Sequence, residues 1–383
     1  MTYLDSSFSD ILAEWPVERV LSLLAATDEG AVHTALARGV RSEADLAALL
    51  APCAAPQLET MAQRAASLTR QRFGRVIQFY APLYVSNHCV NGCTYCGFNC
   101  RNRVARRRLT VEDASHEVRH LADEGFRHIL LVSGEDPKGV PVAYFEELAR
   151  NLRPHVASLN IEIQPLSIPD YALLVQAGVD TLTLYQETYA PVEYARYHVS
   201  GPKRDFRWRL EAPERGAQAG IAFLGIGALL GLTDWRVEAF YVGLHARYLQ
   251  RTYWRQHVSV SFPRMQHAAG AFEPPFPVED ADLVQILCAL RLSLPDAGMV
   301  LSTRESAALR DHLLPIGITR LSAGSKTTPG GYAEDTEAEG QFDVQDHRSL
   351  AEVMAAVQAR GFDPVCKDWD GLYHEDVLTP GQV

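Results

Sequence analysis

From residue 76 to residue 322 the sequence repeats one unit, a short apolar run followed by a longer amphipathic stretch. Eight runs read as strands, at residues 76–84, 128–132, 159–163, 181–186, 221–226, 258–262, 299–302 and 319–322. Most are separated by segments with helical spacing. One covers residues 111–123, behind a Thr110 that suits an N-cap. A chain that alternates this way builds a parallel sheet, because parallel neighbours need a crossover between them. Eight units over about 250 residues fit a closed, TIM-type (β/α)8 barrel. An open doubly wound sheet is the alternative.

The rest of the chain flanks this repeat. Residues 1–75 are rich in alanine, with leucines at helical spacing, and are expected to form a helical extension. Residues 76–326 hold the barrel. From residue 327 the rhythm stops. A turn-rich Thr327-Thr328-Pro329-Gly330-Gly331-Tyr332 leads to an acidic loop at residues 334–339 and a helix near residues 347–360. Residues 327–383 are expected to pack on the barrel as a C-terminal extension. Of the 383 residues 47% are apolar, enough for a large core. No apolar run approaches the roughly 20 residues of a membrane helix. Met1-Thr2-Tyr3-Leu4-Asp5 lacks the basic-then-apolar order of a secretory signal. A net charge of −11 disfavours general nucleic-acid binding.

Seven cysteines are unevenly spread. Cys53, Cys288 and Cys366 stand alone, whereas Cys89, Cys93, Cys96 and Cys100 fall together. This is not a secreted disulfide framework, and a reduced, cytoplasmic protein is expected. Cys89-Val-Asn-Gly-Cys93-Thr-Tyr-Cys96 is a C-x3-C-x2-C motif directly after the first strand. That places it at the carboxyl end of the strands, where barrel active sites lie. Soft thiolates favour zinc or an iron–sulfur cluster. Zinc sites usually draw pairs of ligands from two segments, and no second pair exists here. A [4Fe–4S] cluster takes one ligand per iron, so three cysteines leave one iron open. A zinc knuckle or buried free thiols are the bland readings. Cys100 is read as a free thiol rather than a fourth ligand. Arg101–Arg108 holds five arginines, read as a solvated basic face.

The motif resembles the radical S-adenosylmethionine (radical SAM) superfamily. In that superfamily the open iron chelates SAM, and one electron releases a 5′-deoxyadenosyl radical. The resemblance implies further cofactor contacts. Ser133-Gly134-Glu135 is similar to a turn that binds the SAM methionine amino group. Arg209, opening a run similar to one in biotin synthase, would pair with the SAM carboxylate. Gly225, Gly227 and Leu229, at the end of the fifth strand, would meet the adenine and ribose. Gln186 and Glu187, at the end of the fourth, would bind the ribose. Tyr95 and Phe98 flank Cys96 and would touch the cluster and adenine.

Longer runs are similar to one family, the 2-iminoacetate synthases, which are tyrosine lyases of bacterial thiamine synthesis. They include residues 86–98, 184–189 and 225–236, Ser261-Phe-Pro-Arg264, Leu301-Ser-Thr-Arg-Glu305, Ser322-Ala-Gly-Ser325 and Lys367-Asp-Trp-Asp370. The resemblance implies cleavage of L-tyrosine between Cα and Cβ to 2-iminoacetate and p-cresol, started by hydrogen abstraction at the amine. An electron donor such as flavodoxin or ferredoxin and delivery to thiazole synthase are also implied. Such a substrate needs a cation for its carboxylate. Arg304 is the first candidate and Arg264 the second, with Glu305, Ser302, Thr303 and Ser322 available to orient the cation or meet the amine. Hydrogenase-maturation tyrosine lyases, tryptophan lyases and biotin synthases are the rival enzymes. A non-catalytic partner keeping a structural metal is the rival of another class.

Overall fold

The computed structural model describes residues 7–270, 272–334 and 336–367. The first residues, to Asp5, and the Asp368-Trp369-Asp370 end of the tail motif lie outside them. Eight parallel strands close on themselves: β1 Val76–Ser86, β2 His128–Ser133, β3 Ser158–Glu162, β4 Thr181–Thr183, β5 Phe223–Gly227, β6 His257–Ser261, β7 Gly298–Leu301 and β8 Arg320–Ser322. They run in chain order, and β1 pairs with both β8 and β2, so the sheet is a barrel rather than an open layer.

Local chemistry makes these elements where the pattern puts them. The crossover helix Val111–Asp123 begins at Thr110, whose side chain accepts the Asp113 N–H while the Asp113 carboxylate accepts from the Thr110 N–H. Its buried face is Ala114, Glu117, Val118 and Leu121, at helical spacing. Strand β4 stops three residues earlier than its apolar run. Leu184 and Gln186 still donate to Gly225 and Gly227 on β5, but the pairing to β3 is over. Glu187 then turns the chain with a φ of 71°, the one positive φ outside glycine among the described residues.

A ninth strand, β9 Asp363–Val365, pairs in parallel with the first residues of β1. Asp-Pro-Val carries no strand signal, and its proline fits only at a sheet edge. The long β1 makes room: Val76–Gln78 serve β9, and Ala81 onward serves β2.

Five helices precede the barrel, as expected. Glu43–Leu50 packs on the barrel helices Trp235–Thr252 and Asp280–Ser293, and Leu58–Phe73 packs on Asp280–Ser293 and Ala307–Gly317. Gln285 donates to the Leu49 and Ala51 carbonyls, satisfying the end of Glu43–Leu50 in the interior. These two helices therefore lie against the outer helices of the barrel. Among the described residues no helix is long and apolar enough to cross a membrane.

Candidate active site

Cys89, Cys93 and Cys96 lie on the loop leaving β1, at the carboxyl mouth of the barrel. The loop is held by a clamp that the composition did not announce. The Arg106 guanidinium donates to the carbonyls of Asn87 (2.6 Å), Phe98 (3.0 Å), Asn99 (2.7 Å) and Asn102 (3.3 Å). Arg108 reaches the Gly139 carbonyl at 2.6 Å. The basic stretch is thus only partly a solvated face: Arg101 and Arg103 are exposed, whereas Arg106 fastens the cysteine loop.

The residues fit a cluster. Cys93 is buried, and Cys89 and Cys96 are partly so. Burial pushes the Cys89 thiol up to about 11, and raises Cys93 and Cys96 as well. Without positive charge these groups stay protonated, and a bound metal centre supplies that charge. Among the described residues no three His, Cys, Asp or Glu side chains are grouped to hold a single metal ion. Phe98, Tyr84, Leu130 and Val132 form an apolar wall beside Cys89 and Cys96. Cys100 is exposed and stands apart from that wall.

The C-terminal extension closes the other side. Gln341 faces Cys96 Sγ at 3.8 Å through its amide and accepts from the Tyr84 hydroxyl at 2.8 Å. Its backbone carbonyl accepts from Gly97, and a Cβ on Gly97 would stand 2.7 Å from that oxygen, so only glycine fits. Gly134, after β2, is pressed equally hard: its Cβ would sit 2.3 Å from the His88 carbonyl and 2.9 Å from the Cys89 side chain.

Beside the cysteines lies a buried ionic network. Arg209 donates to Glu135 at 2.7 Å, to Glu187 at 3.3 Å and to the Tyr185 carbonyl at 2.8 Å. Lys203 binds Glu187 at 2.8 Å, and Asn91, inside the cysteine motif, donates to the second Glu135 oxygen at 2.8 Å. Two cations face two carboxylates, so the buried charge is balanced. Burial would raise the Glu187 carboxyl, but Lys203 and Arg209 hold it at about 2. Near this network the Ser133 hydroxyl and the Gln186 amide oxygen are buried without a hydrogen-bond partner. Polar atoms left so are expected where a polar ligand completes them. SAM, with an amino group, a carboxylate and ribose hydroxyls, fits these donors and acceptors.

Tyr95 hydrogen-bonds His198 Nε2 at 2.8 Å. The other ring nitrogen of His198 faces the Tyr194 carbonyl at 2.8 Å, which only accepts, so Nδ1 carries the proton and the Tyr95 hydroxyl donates. Leu229, Tyr197, Leu232 and Phe272 pack in one cluster around Tyr95. Gly225 abuts the Thr183 hydroxyl, and Gly227 abuts the Ser261 carbonyl, both on neighbouring strands.

A small cavity of about 60 Å³ opens at the mouth of the barrel. Arg304, Ser302, Thr303 and Ser322 line it, with Tyr84, Tyr185 and Glu162. The Thr303 N–H donates to the Ser322 hydroxyl at 3.1 Å. Arg304 lies face-on over Phe342, its guanidinium carbon 3.3 Å from the ring centroid. Stacking uses the face of the guanidinium and leaves its N–H edge for a carboxylate. Among the described residues no carboxylate lies within ion-pair reach of Arg304. Arg264 and Glu305 are not brought to this cavity. They pair with each other, Arg264 Nε lying 3.0 Å from Glu305, and Arg264 also binds Asp280 at 2.8 Å and the Val278 carbonyl at 3.0 Å. They bind each other across the rim and leave Arg304 alone in the cavity.

The sequence reading missed Asn91, Lys203, Arg106, Glu162, Gln341 and Phe342. Only Asn91 carried a usable signal, being inside the motif. The others arrive from distant segments.

Residues 83–242 match the Radical SAM superfamily model, and residues 261–363 match the Biotin and Thiamin Synthesis associated domain. The chain is 46% identical over 340 residues to 2-iminoacetate synthase of Escherichia coli (strain K12), covering 88% of this chain and 90% of that protein. The chain belongs to the 2-iminoacetate synthase family. The Salmonella typhimurium 2-iminoacetate synthase is 47% identical over the same share. Among solved structures, the FeFe-hydrogenase maturase HydG from Carboxydothermus hydrogenoformans superposes with a TM-score of 0.88 at 34% identity, over 96% of this chain and 87% of that one. Membership of the 2-iminoacetate synthase family, with its radical SAM core, implies one [4Fe–4S] cluster with cysteine ligands, and SAM.

Proposed function

We propose that this protein is a radical SAM carbon–carbon lyase. It cleaves the Cα–Cβ bond of L-tyrosine to 2-iminoacetate and p-cresol, with methionine and 5′-deoxyadenosine formed. The observation that carries the reading is the juxtaposition at one barrel mouth. Cys89 and Cys96 pack against Tyr84, Leu130 and Val132, which also line the cavity that holds an arginine with no carboxylate partner among the described residues. When bound, the cluster and SAM supply an electron and the 5′-deoxyadenosyl radical.

Cys89, Cys93 and Cys96 hold the cluster. Glu135 receives the SAM amino group and Arg209 its carboxylate, with Ser133, Gly134, Gln186, Glu187, Gly225, Gly227, Leu229, Tyr95 and Phe98 around the remainder. Arg304 fixes the tyrosine carboxylate, and Ser302, Thr303 and Ser322 bind around it. Arg264 and Glu305 act by bracing the rim. Phe342 and Gln341 cover the cavity and exclude water, which protects a radical from quenching. The chain divides into a helical extension over residues 1–75, a barrel over 76–326 and a covering extension over 327–383. The working place is the cytoplasm, with a flavodoxin or ferredoxin as reductant and thiazole synthase as recipient of the imine. Against a hydrogenase-maturation role, Cys366 is the only cysteine after residue 326, and one cysteine cannot hold a second cluster.

The test is anaerobic reconstitution with iron and sulfide, then SAM, a reductant and tyrosine or tryptophan. p-Cresol and 5′-deoxyadenosine from tyrosine, about four irons per chain, and their loss in Cys93→Ala are expected. Products from tryptophan alone, or retained SAM cleavage in Cys93→Ala, would overturn the reading.

A further inference from the structure

Glu162 ends β3 and lines the same cavity as Arg304. Four other carboxylates near the mouth are engaged. Glu135 is held by Arg209 and Asn91, Glu187 by Lys203 and Arg209, Glu305 by Arg264, and Asp346 by Arg310 and Arg348. Among the described residues the Glu162 side chain makes neither a hydrogen bond nor an ion pair, while its backbone pairs with Val132 of β2. Arg304 and Glu162 thus bring opposite charges to one cavity, and they do not pair across it. Two unlike charges so arranged would ordinarily collapse together. Held apart, they complement a molecule that bears both charges itself. A zwitterionic α-amino acid is such a molecule.

We infer that Glu162 receives the substrate ammonium group and takes its proton. This deepens the lyase reading and rests on its placement of the carboxylate at Arg304. An ammonium N–H bond breaks, the proton passes to a Glu162 carboxylate oxygen, and the bonding pair stays on nitrogen. No electron leaves or enters. The product is a neutral amine beside a neutral carboxylic acid. Hydrogen abstraction at nitrogen needs that lone pair, because an ammonium radical cation has none to delocalise. The transfer also removes two opposite charges from a poorly solvated cavity, where isolated charge is costly.

The surroundings suit a base rather than a permanent anion. Burial, reinforced by Glu187, lifts the Glu162 carboxyl to about 7, against the pull of Arg304, Arg209 and Lys203. The other titratable groups facing it are the hydroxyls of Tyr80 and Tyr84 on β1 and of Tyr185 after β4, all raised by burial and neutral at working pH. A base whose pKa lies near the operating pH is both available and able to hold the proton.

The experiment uses the reconstituted holoenzyme and Glu162→Gln, which keeps size and shape, with Glu162→Asp as a conservative control. Iron content and circular dichroism establish that each variant is intact. Three probes are titrated: tyrosine, 3-(4-hydroxyphenyl)propanoate, which lacks the amine, and phenylalanine, which lacks the phenol. The unmodified enzyme should prefer tyrosine to the amine-free acid by roughly tenfold to a hundredfold, as expected for a charge-assisted contact. Glu162→Gln should lose most of that preference while keeping its preference for tyrosine over phenylalanine. It should also lose the rise of p-cresol kcat/KM with pH near neutrality, and Glu162→Asp should restore part of both. If Glu162→Gln keeps the amine preference and the pH profile, the inference is wrong. It is equally wrong if the tyrosine-over-phenylalanine preference is what disappears, since Glu162 would then face the phenol. Absence of p-cresol from the unmodified enzyme would refute the lyase reading instead, and the three binding curves would still decide Glu162.

Discussion

At the scale of single residues, the two arginines of the site make different demands. Arg304 stacks on Phe342 and offers one planar edge. Arg304→Lys keeps the charge and loses the fork that grips two oxygens at once. On the role proposed for Arg304, the amine would then no longer be held at a set distance from the radical, and misplacement by about 1 Å can lower a rate on the order of a hundredfold. Slow SAM cleavage with little p-cresol is expected, measured by quantifying 5′-deoxyadenosine and p-cresol in the same reaction. Equal yields of both at the unmodified rate would make Arg304 structural. Arg209 is buried between two carboxylates, so Arg209→Ala acts on the fold as well as on the proposed SAM contact. It strands Glu135, and leaves Glu187 with Lys203 alone. Breaking a buried ion pair this way destabilises by about 3–5 kcal/mol. Urea unfolding of the cluster-free protein should show that loss for Arg209→Ala and much less of it for Arg209→Lys. Equal stability of the two variants would mean that the network does not hold the loop.

At the scale of elements, the segment after β8 decides how the mouth is closed. Thr303, on the loop after β7, accepts through its carbonyl from the N–H groups of Gln345 and Asp346. Buried Arg310 pairs with Asp346 and also donates to the Ser322 carbonyl. These contacts anchor residues 341–346 over the cavity and put Phe342 under Arg304. Phe342→Leu retains apolar cover and removes the aromatic platform. A cation–π contact of about 0.5–2 kcal/mol corresponds to a roughly twofold to thirtyfold weaker hold on the carboxylate. The KM for tyrosine should rise by that factor while SAM affinity is unchanged. A parallel loss of SAM affinity would show that Phe342 supports the whole mouth rather than Arg304.

At the scale of the whole molecule, the N-terminal helices are tied to the barrel through a histidine. Phe8 of the first helix, Phe8–Glu14, stacks on His245 of Trp235–Thr252, with centroids 3.9 Å apart and planes 7° apart. His245 Nδ1 contacts the Tyr189 hydroxyl at 2.9 Å. Burial lowers the pKa of this imidazole to about 3. Between about pH 6.5 and pH 3 the unfolded chain binds a proton there that the native chain refuses, so the stability is present above pH 6.5 and lost as pH falls. From pH 7.5 to 5.5 the loss due to His245 should approach about 1.4 kcal/mol. Urea unfolding at both pH values should show a drop smaller by about that amount in His245→Gln. Identical drops would mean that His245 is protonated in the native state or that the extension is not coupled to it.

The barrel was legible because its signal is local. Strand and helix periods are written in each segment, and seven of eight strand ends fell within two residues of expectation. The cysteine motif was legible for the same reason: Cys89, Cys93 and Cys96 are neighbours along the chain. β4 ended early because Glu187 adopts a left-handed turn, which no residue-type preference announces. β9 was invisible because Asp363-Pro364-Val365 becomes a strand only when the first residues of β1 stand beside it. The cavity was decided by tertiary structure alone. Arg264 and Arg304 looked alike in sequence, each just past a strand end. Glu305 chose between them by pairing with Arg264 and leaving Arg304 to face Glu162. Charges are long-ranged and burial is collective, so which arginine is neutralised depends on segments 40 residues apart folding against one another.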